Sequence, residues 1–208
     1  MDTIDRIYYI NLDYRTDRQA QFESWISESG FPMEKVERIS AIHLPDRPHL
    51  GCGQSHIKAI QTFLNSGLSN CIIFEDDYMA LDPSTFWSNF QALADSKVEY
   101  DLIMCSYNAL QADDGPTPFL KRVKFSYTAS GYLLTRDFAP TLRDTLLEAN
   151  ILAHEEEAIT HRKTDQYMND VYWMKLMPTS RWYCFFPRLG IQRAGYSDLQ
   201  KHFVEYNA

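Results

Sequence analysis

The chain has 208 residues, 45% of them apolar, and carries 20 Lys and Arg against 28 Asp and Glu, a formal charge of −8. That length suits one medium domain, residues 1–208, which can bury a core of its own without metal or disulfide staples. The negative balance argues against non-specific nucleic-acid binding and against a polybasic membrane patch, since both need a basic surface.

No apolar run approaches the length of a membrane span. The acidic start, Met1-Asp2-Thr3-Ile4-Asp5, lacks a signal-peptide pattern. Cys52, Cys71, Cys105 and Cys184 form no C-x-x-C pair, so a zinc site is not expected. A reduced, cytoplasmic protein is the natural reading, with at most peripheral membrane contact. An anionic small ligand stays compatible with the charge if Arg, Lys or a metal ion offsets the field locally.

In chain order, residues 6–12 form a β-prone apolar run that reads as a buried first strand. After a charged turn at 13–18, residues 16–30 place Ala20, Phe22, Trp25 and Ile26 at helical spacing, with Gly30 and Pro32 as the stop. Residues 36–42 make a weaker strand and 45–48 a loop. Gly51-Cys52-Gly53-Gln54-Ser55-His56 then leads into a helix carrying Ile57, Ile60, Phe63 and Leu64. Residues 71–74 are a short apolar strand ending in Glu75-Asp76-Asp77. Asp82 and Pro83 open another helix, as cap and first-turn proline. Residues 101–105 are a strand, and polar 111–118 a mobile loop able to close over a ligand. Residues 121–127 and 131–135 are strands, 137–149 and 165–174 helices, 181–186 a last strand, and 190–208 an unassigned polar tail. Strands alternating with helices in the first half predict a layered α/β fold. Successive strands in the second half make its central sheet mixed, though still largely parallel.

The sharpest chemical feature is Ile72-Ile73-Phe74-Glu75-Asp76-Asp77. An apolar strand delivers three adjacent carboxylates to its C-terminal end, where open α/β sheets bind ligands. Three adjacent acids repel one another, and a hard cation, Mg²⁺ or Mn²⁺, would compensate them. Extended alternation puts Glu75 and Asp77 on one side and Asp76 on the other. The plainer alternative is acids that cap the next element or face water.

Asn11, Arg15 and Arg18 follow the first strand and belong to the same sheet edge. Asn11 could read a base or ribose, and either arginine could pair with phosphate through its planar fork; a capped helix start with salt bridges to Asp13 and Asp17 is the competing account. The glycines at 51 and 53 allow close backbone approach, and the helix start beside Ser55 and His56 favours an anion. This is neither a P-loop nor a dinucleotide fingerprint. Asp165 could cap its helix. Gln192, Asp198 and His202 lie in the polar tail.

Taken together and in order, these stretches resemble glycosyltransferase family 25, which includes lipooligosaccharide and collagen galactosyltransferases. They are Ile10-Asn11-Leu12 with Arg15 and Arg18, residues 51–56, Ile73-Phe74-Glu75-Asp76-Asp77, Gly131-Tyr132-Leu133-Leu134, Thr164-Asp165-Gln166-Tyr167, and Pro187 through Gln192 to Ser197-Asp198. The resemblance implies a GT-A-like single domain. It implies transfer of a hexose, often galactose, from a UDP-sugar to a glycan or glycoconjugate acceptor, with inversion, as in lipopolysaccharide biosynthesis. Within it, Asp77 and Asp76 are the expected ligands for Mn²⁺ or Mg²⁺, with His202 completing the shell. Glu75, Asp76, Asn11, Arg15, Arg18, Ser55, His56 and Gln192 are expected to hold the nucleotide sugar. Asp165 is the expected general base, with His56, Asp198 and His202 as rivals. Two other classes compete: a metal-dependent phosphohydrolase built on the same carboxylates, and a non-catalytic glycan-binding pseudo-transferase.

Overall fold

Apolar side chains on both faces of the central strands dictate a sheet covered on both sides. The computed structural model describes residues 3–205; Met1 and Asp2 of the acidic start and residues 206–208 of the tail lie outside them. The first half comprises β1 (Ile7–Asn11), α1 (Thr16–Glu28), β2 (Val36–Ser40), α2 (Pro48–Ser66), β3 (Asn70–Glu75), β4 (Tyr78–Ala80) and α3 (Pro83–Ser96). Next come β5 (Leu102–Met104), β6 (Asn108–Asp114), β7 (Leu120–Tyr127), β8 (Gly131–Thr135) and α4 (Ala139–Thr160). The chain ends with α5 (Asn169–Tyr172), β9 (Trp182–Phe185), β10 (Gly190–Gln192), β11 (Gly195–Ser197) and β12 (His202–Val204).

Among the described residues, eight strands form the main sheet in the order β2-β1-β3-β8-β5-β9-β7-β6. The pairings run β2, β1, β3, β5, β9 and β6 one way, and β8 and β7 the other. The sheet is therefore mixed but mostly of one direction, as expected. Alternation divides its side chains between two cores. Ile7, Tyr9, Ile72 and Phe74 meet Phe22, Trp25 and Ile26 of α1 and Phe86, Trp87 and Phe90 of α3. Tyr8, Ile10, Ile73, Tyr132 and Leu134 meet Ala59, Ile60 and Phe63 of α2 and Leu142 and Leu146 of α4. Both layers leave the carboxyl ends of β1, β2 and β3 open to ligand. Asp82 caps α3 by accepting from the Ser84 N–H at 3.0 Å, as its sequence position predicts.

Four expectations need correcting. Residues 111–118 are a loop only in their second half: 111–114 belong to β6, whose acids pair across the hairpin with Lys121 and Lys124 of β7 at 2.6 Å, and 115–118 make the connection between the two strands. Polarity at Asp113 and Asp114 reflects cross-strand ion pairs on an exposed ladder. Gly51 and Gly53 do not precede a helix. Pro48 starts α2 three residues earlier, where its missing N–H costs nothing. Gly51 instead lets the wall of residues 42–44 approach, since a Cβ there would lie 2.5 Å from the Ile42 carbonyl oxygen. Helix α4 runs eleven residues past the expected end at Ala149, through a run of good helix formers to a left-handed stop at His161. Finally, residues 165–168 are not helical; α5 begins only at Asn169 and passes into a 3₁₀ turn, Trp173–Leu176.

Sequence reading did not find β4. It follows the acidic turn and pairs with β10, Tyr78 opposite Gln192. Tyr78 is fully buried, and a Cβ at Gly190 would stand 2.2 Å from its hydroxyl oxygen and 2.7 Å from the Met79 carbonyl oxygen. Gly190→Ala must displace either this ring or the backbone that carries Asp77. It is expected to cost about 1–3 kcal/mol, the range for overpacking, and to lower the thermal midpoint by several degrees in a calorimetric scan.

Candidate active site

The carboxyl ends of β1, β2 and β3 open into a cavity of about 460 Å³, a size suited to a nucleotide-sized ligand. Glu75, Asp76 and Asp77 form its floor. Leu12, Tyr14, Ile42, His43 and Leu44 line the β1/β2 end. Asn108, Tyr127 and Thr128, with Asn169 and Asp170 of α5, line the end toward β7.

The acidic residues do not alternate as an extended strand would. Strand β3 ends at Glu75, and Asp76 and Asp77 form the turn into β4. The turn brings the two aspartates together on one guanidinium nitrogen: Arg18 Nη1 donates to Asp76 Oδ1 at 2.9 Å and to Asp77 Oδ2 at 3.1 Å. Asn11 donates from its amide to the other Asp76 oxygen at 2.8 Å and accepts from Arg38 at 2.9 Å. Glu75 turns the other way. One oxygen accepts from His56 Nε2 at 3.1 Å and the other from Gln192 at 3.3 Å. The neutral imidazole tautomer with its proton on Nε2 fits this pairing, leaving Nδ1 to accept from the Tyr132 hydroxyl at 3.0 Å.

Asp170 adds a carboxylate from the opposite wall. Its Oδ2 accepts from the Thr128 N–H at 3.0 Å, and the Thr128 hydroxyl donates to Gln192 Oε1 at 2.9 Å. Thr128 has φ +81°, a left-handed conformation that a β-branched residue adopts only when its surroundings over-determine it. The two hydrogen bonds supply that constraint.

Among the described residues Arg18 is the only lysine or arginine lining the cavity, against Glu75, Asp76, Asp77, Asp170 and Asp198. Burial pushes the Asp77 carboxyl up to about 7, with repulsion from Glu75 adding to the rise and Arg18 opposing it. Burial also raises Asp76, again opposed by Arg18. Asp170 rises through burial as well, partly offset by the Thr128 N–H. Asp77 Oδ1 is buried and takes no hydrogen bond among the described residues. An orphaned carboxylate oxygen beside a second aspartate is what a hard cation would satisfy, so the donor set fits Mg²⁺ or Mn²⁺. Without a cation the floor would repel a diphosphate: like charges 4 Å apart at an effective dielectric of 20 cost about 4 kcal/mol per pair.

A second group, Cys52, His56 and Glu75, is also compact enough for a metal, its ligand atoms lying within 4.8 Å of one another. It is the poorer site. The Cys52 thiol is held well above its usual range by burial and by Glu75, and so resists becoming the thiolate a metal requires. The four cysteines are unpaired.

The other expected residues are distributed as follows. His56, Glu75, Asp76, Asp77, Arg18, Gln192 and Ser55 reach the cavity lining. The Ser55 hydroxyl is engaged internally, accepting from Ile42 N–H at 2.8 Å and donating to Gly51 O at 2.6 Å, so it builds the wall. Asn11 is buried beneath Asp76 and positions it. Arg15 is not a lining residue; it pairs with Asp17 at 2.9 Å and Asp198 at 2.5 Å, tying the tail to the first turn. Asp198 reaches the cavity lining and is held there by Arg15. His202 does not reach the floor. It sits on the exposed β12, its Nδ1 2.8 Å from the Gln200 carbonyl oxygen. Asp165 also stands outside the lining, its side chain 82% exposed and paired with Lys163 at 3.4 Å. Asp170 and Thr128 escaped sequence reading. The helix start drawn at 165 concealed the first, and only the small-residue break 128–131 between two strands hints at the second.

No protein-family model matches the chain. Over 163 residues it is 28% identical to a glycosyltransferase 25 family member of Drosophila pseudoobscura pseudoobscura, an overlap covering 64% of this chain and 26% of that protein. The chain thus spans about a quarter of the length of the relative it matches. Among solved structures it is similar to A197 from STIV, with a TM-score of 0.50 at 10% identity over 99% of this chain and 100% of that one. It is also similar to a mannose-1-phosphate geranyltransferase from Thermus thermophilus, with a TM-score of 0.51 at 8% identity over 95% of this chain and 76% of the other. The fold is α/β and GT-A-like. The chain resembles glycosyltransferase family 25 by its ordered stretches and by this relative. Among the described residues no helix is long and apolar enough to cross a membrane.

Proposed function

We propose that the chain is a metal-dependent glycosyltransferase that moves a hexose from a UDP-sugar to an acceptor hydroxyl with inversion. The observation that carries this reading is the convergence of Asp76 and Asp77 on one arginine, with a buried Asp77 oxygen left over, at the carboxyl end of a central strand. Asp77 and Asp76 would hold Mn²⁺ or Mg²⁺, which when bound supplies positive charge against the departing diphosphate. Glu75 stays clear of that role, engaged by His56 and Gln192, and forms the floor beneath the sugar. The nucleoside end lies along Leu12, Tyr14, Ile42, His43 and Leu44, where a flat ring finds apolar and aromatic neighbours. Arg18 holds the two aspartates in place.

The general base is Asp170, replacing Asp165. Its carboxylate lines the cavity, is oriented by the Thr128 N–H, and is shifted upward, nearer the range useful for accepting a proton. In the transfer the acceptor oxygen forms a bond to the anomeric carbon as that carbon's bond to the diphosphate oxygen breaks. The electron pair leaves with UDP, and the acceptor proton passes to Asp170.

A thermal-shift panel of nucleotide sugars, with Mn²⁺ and with EDTA, tests this reading. A UDP-hexose that raises the melting temperature only with metal is expected. No shift with any nucleotide sugar would overturn it, and release of phosphate from simple esters would favour a phosphohydrolase.

A further inference from the structure

We infer that the β7 end of the cavity is the acceptor subsite, with Tyr127 as a platform for an uncharged pyranose ring; this rests on the transferase reading. The cavity crosses the sheet edge from β2 and β1, past the acids after β3, to β6 and β7. The nucleoside and diphosphate use the first two portions. The last remains for the second substrate, and it is the portion that contains Asp170.

Tyr127 is the aromatic residue of that end. It is 39% exposed although it lines a cavity, and Phe125 props its ring edge-on at 5.0 Å and 81°. An exposed but supported ring is suited to covering the apolar C–H face of a sugar. Asn108 stands opposite Tyr127 in the β6–β7 ladder and brings an amide to the same rim, where sugar hydroxyls need partners. The next residue along the chain is Thr128, whose strained backbone N–H fixes Asp170. The peptide unit between Tyr127 and Thr128 therefore carries the N–H that orients Asp170, so one peptide bond and one hydrogen bond link platform to base, and the strain at Thr128 maintains their relation. Charge narrows the ligand further. Among the described residues no lysine or arginine lines this end, and Asp170 and Glu75 face it, so a uronic or sialic acid would be repelled.

The experiment uses the full chain with Mn²⁺, UDP-galactose and UDP-glucose, and the methyl α- and β-pyranosides of galactose and glucose as acceptor probes. Saturation-transfer NMR reads pyranoside binding, and UDP release reads turnover. Tyr127→Ala is expected to raise the pyranoside KM about tenfold while the Kd for the UDP-sugar stays unchanged. Tyr127→Phe and Tyr127→Trp are expected to restore the low KM, which separates a platform from a folding role. Equal pyranoside binding by the wild type and Tyr127→Ala overturns the subsite, as does no pyranoside binding at all. A peptide hydroxyl accepted equally well by Tyr127→Ala also overturns it. If no UDP-sugar binds but pyranosides still bind through Tyr127, the transferase reading fails and the sugar subsite stands.

Discussion

Asp77→Asn is expected to abolish Mn²⁺-dependent binding of the UDP-sugar and, at the same time, to make the metal-free protein more stable above pH 7. The two effects have one cause. In the folded chain the Asp77 carboxyl is raised from 3.8 to about 7 by burial and by Glu75. Between those values the unfolded chain has released the proton and the folded chain has kept it. Folding stability therefore falls as pH rises through this window, and the cost is complete above about 7. Asparagine keeps the shape and carries no charge, so the cost disappears. Arg18 is not orphaned by the change, because it retains Asp76 at 2.9 Å. The gain is on the order of a few kcal/mol, since each tenfold change in proton affinity is worth about 1.4 kcal/mol, and it vanishes toward pH 4. Denaturant melts in EDTA at pH 4, 6 and 8 measure it. A variant less stable than wild type at pH 8, or one whose melting temperature still rises with Mn²⁺ and UDP-sugar, would remove Asp77 from the metal site.

The unfavourable burial of carboxylates in this turn explains why it is the legible part of the site. Carboxylates at the end of a buried apolar strand contradict ordinary burial preferences, and such contradictions in a sequence point to a ligand. The strands were legible for a related reason: Ile7 to Ile10 and Cys71 to Phe74 are apolar on both faces, as a covered sheet requires. Position within the turn was not legible. Alternation predicted Asp76 and Asp77 on opposite sides, whereas the chain reverses into β4 and brings both to Arg18. Strand β4 is three residues long, and its pairing with β10 is a long-range contact with no local signature. The polar tail was unreadable for the same reason. Its hairpin β11–β12 is held largely from outside, by Arg15 on Asp198 and Arg18 on the Tyr196 carbonyl oxygen at 2.8 Å. For Arg15 and Arg18 the sequence offers two partners, phosphate or the neighbouring Asp13 and Asp17. The Arg15–Asp17 pair forms, whereas Asp198, Asp76 and Asp77 are distant carboxylates that only the fold brings to these arginines.

For the general base, Asp170→Asn is expected to lower kcat by roughly 10²–10⁴-fold, the usual contribution of a positioned base, with the UDP-sugar Kd little changed. Asp165→Asn is expected to leave both constants at wild-type values. The contrast follows from geometry. Asp170 is half-buried in the cavity wall and oriented by a backbone N–H, whereas Asp165 projects into solvent beside Lys163. Both residues lie in a stretch whose periodicity reads as one helix. The extended backbone at Met168 breaks that helix and moves its start to Asn169, so the carboxylate delivered to the cavity is the later one. Single-turnover rates with saturating donor separate chemistry from binding. Loss of donor affinity in Asp170→Asn equal to the loss of kcat would make Asp170 a binding residue. A large rate loss in Asp165→Asn would instead require residues 164–168 to fold inward during turnover, and would return the base to the position the sequence first indicated.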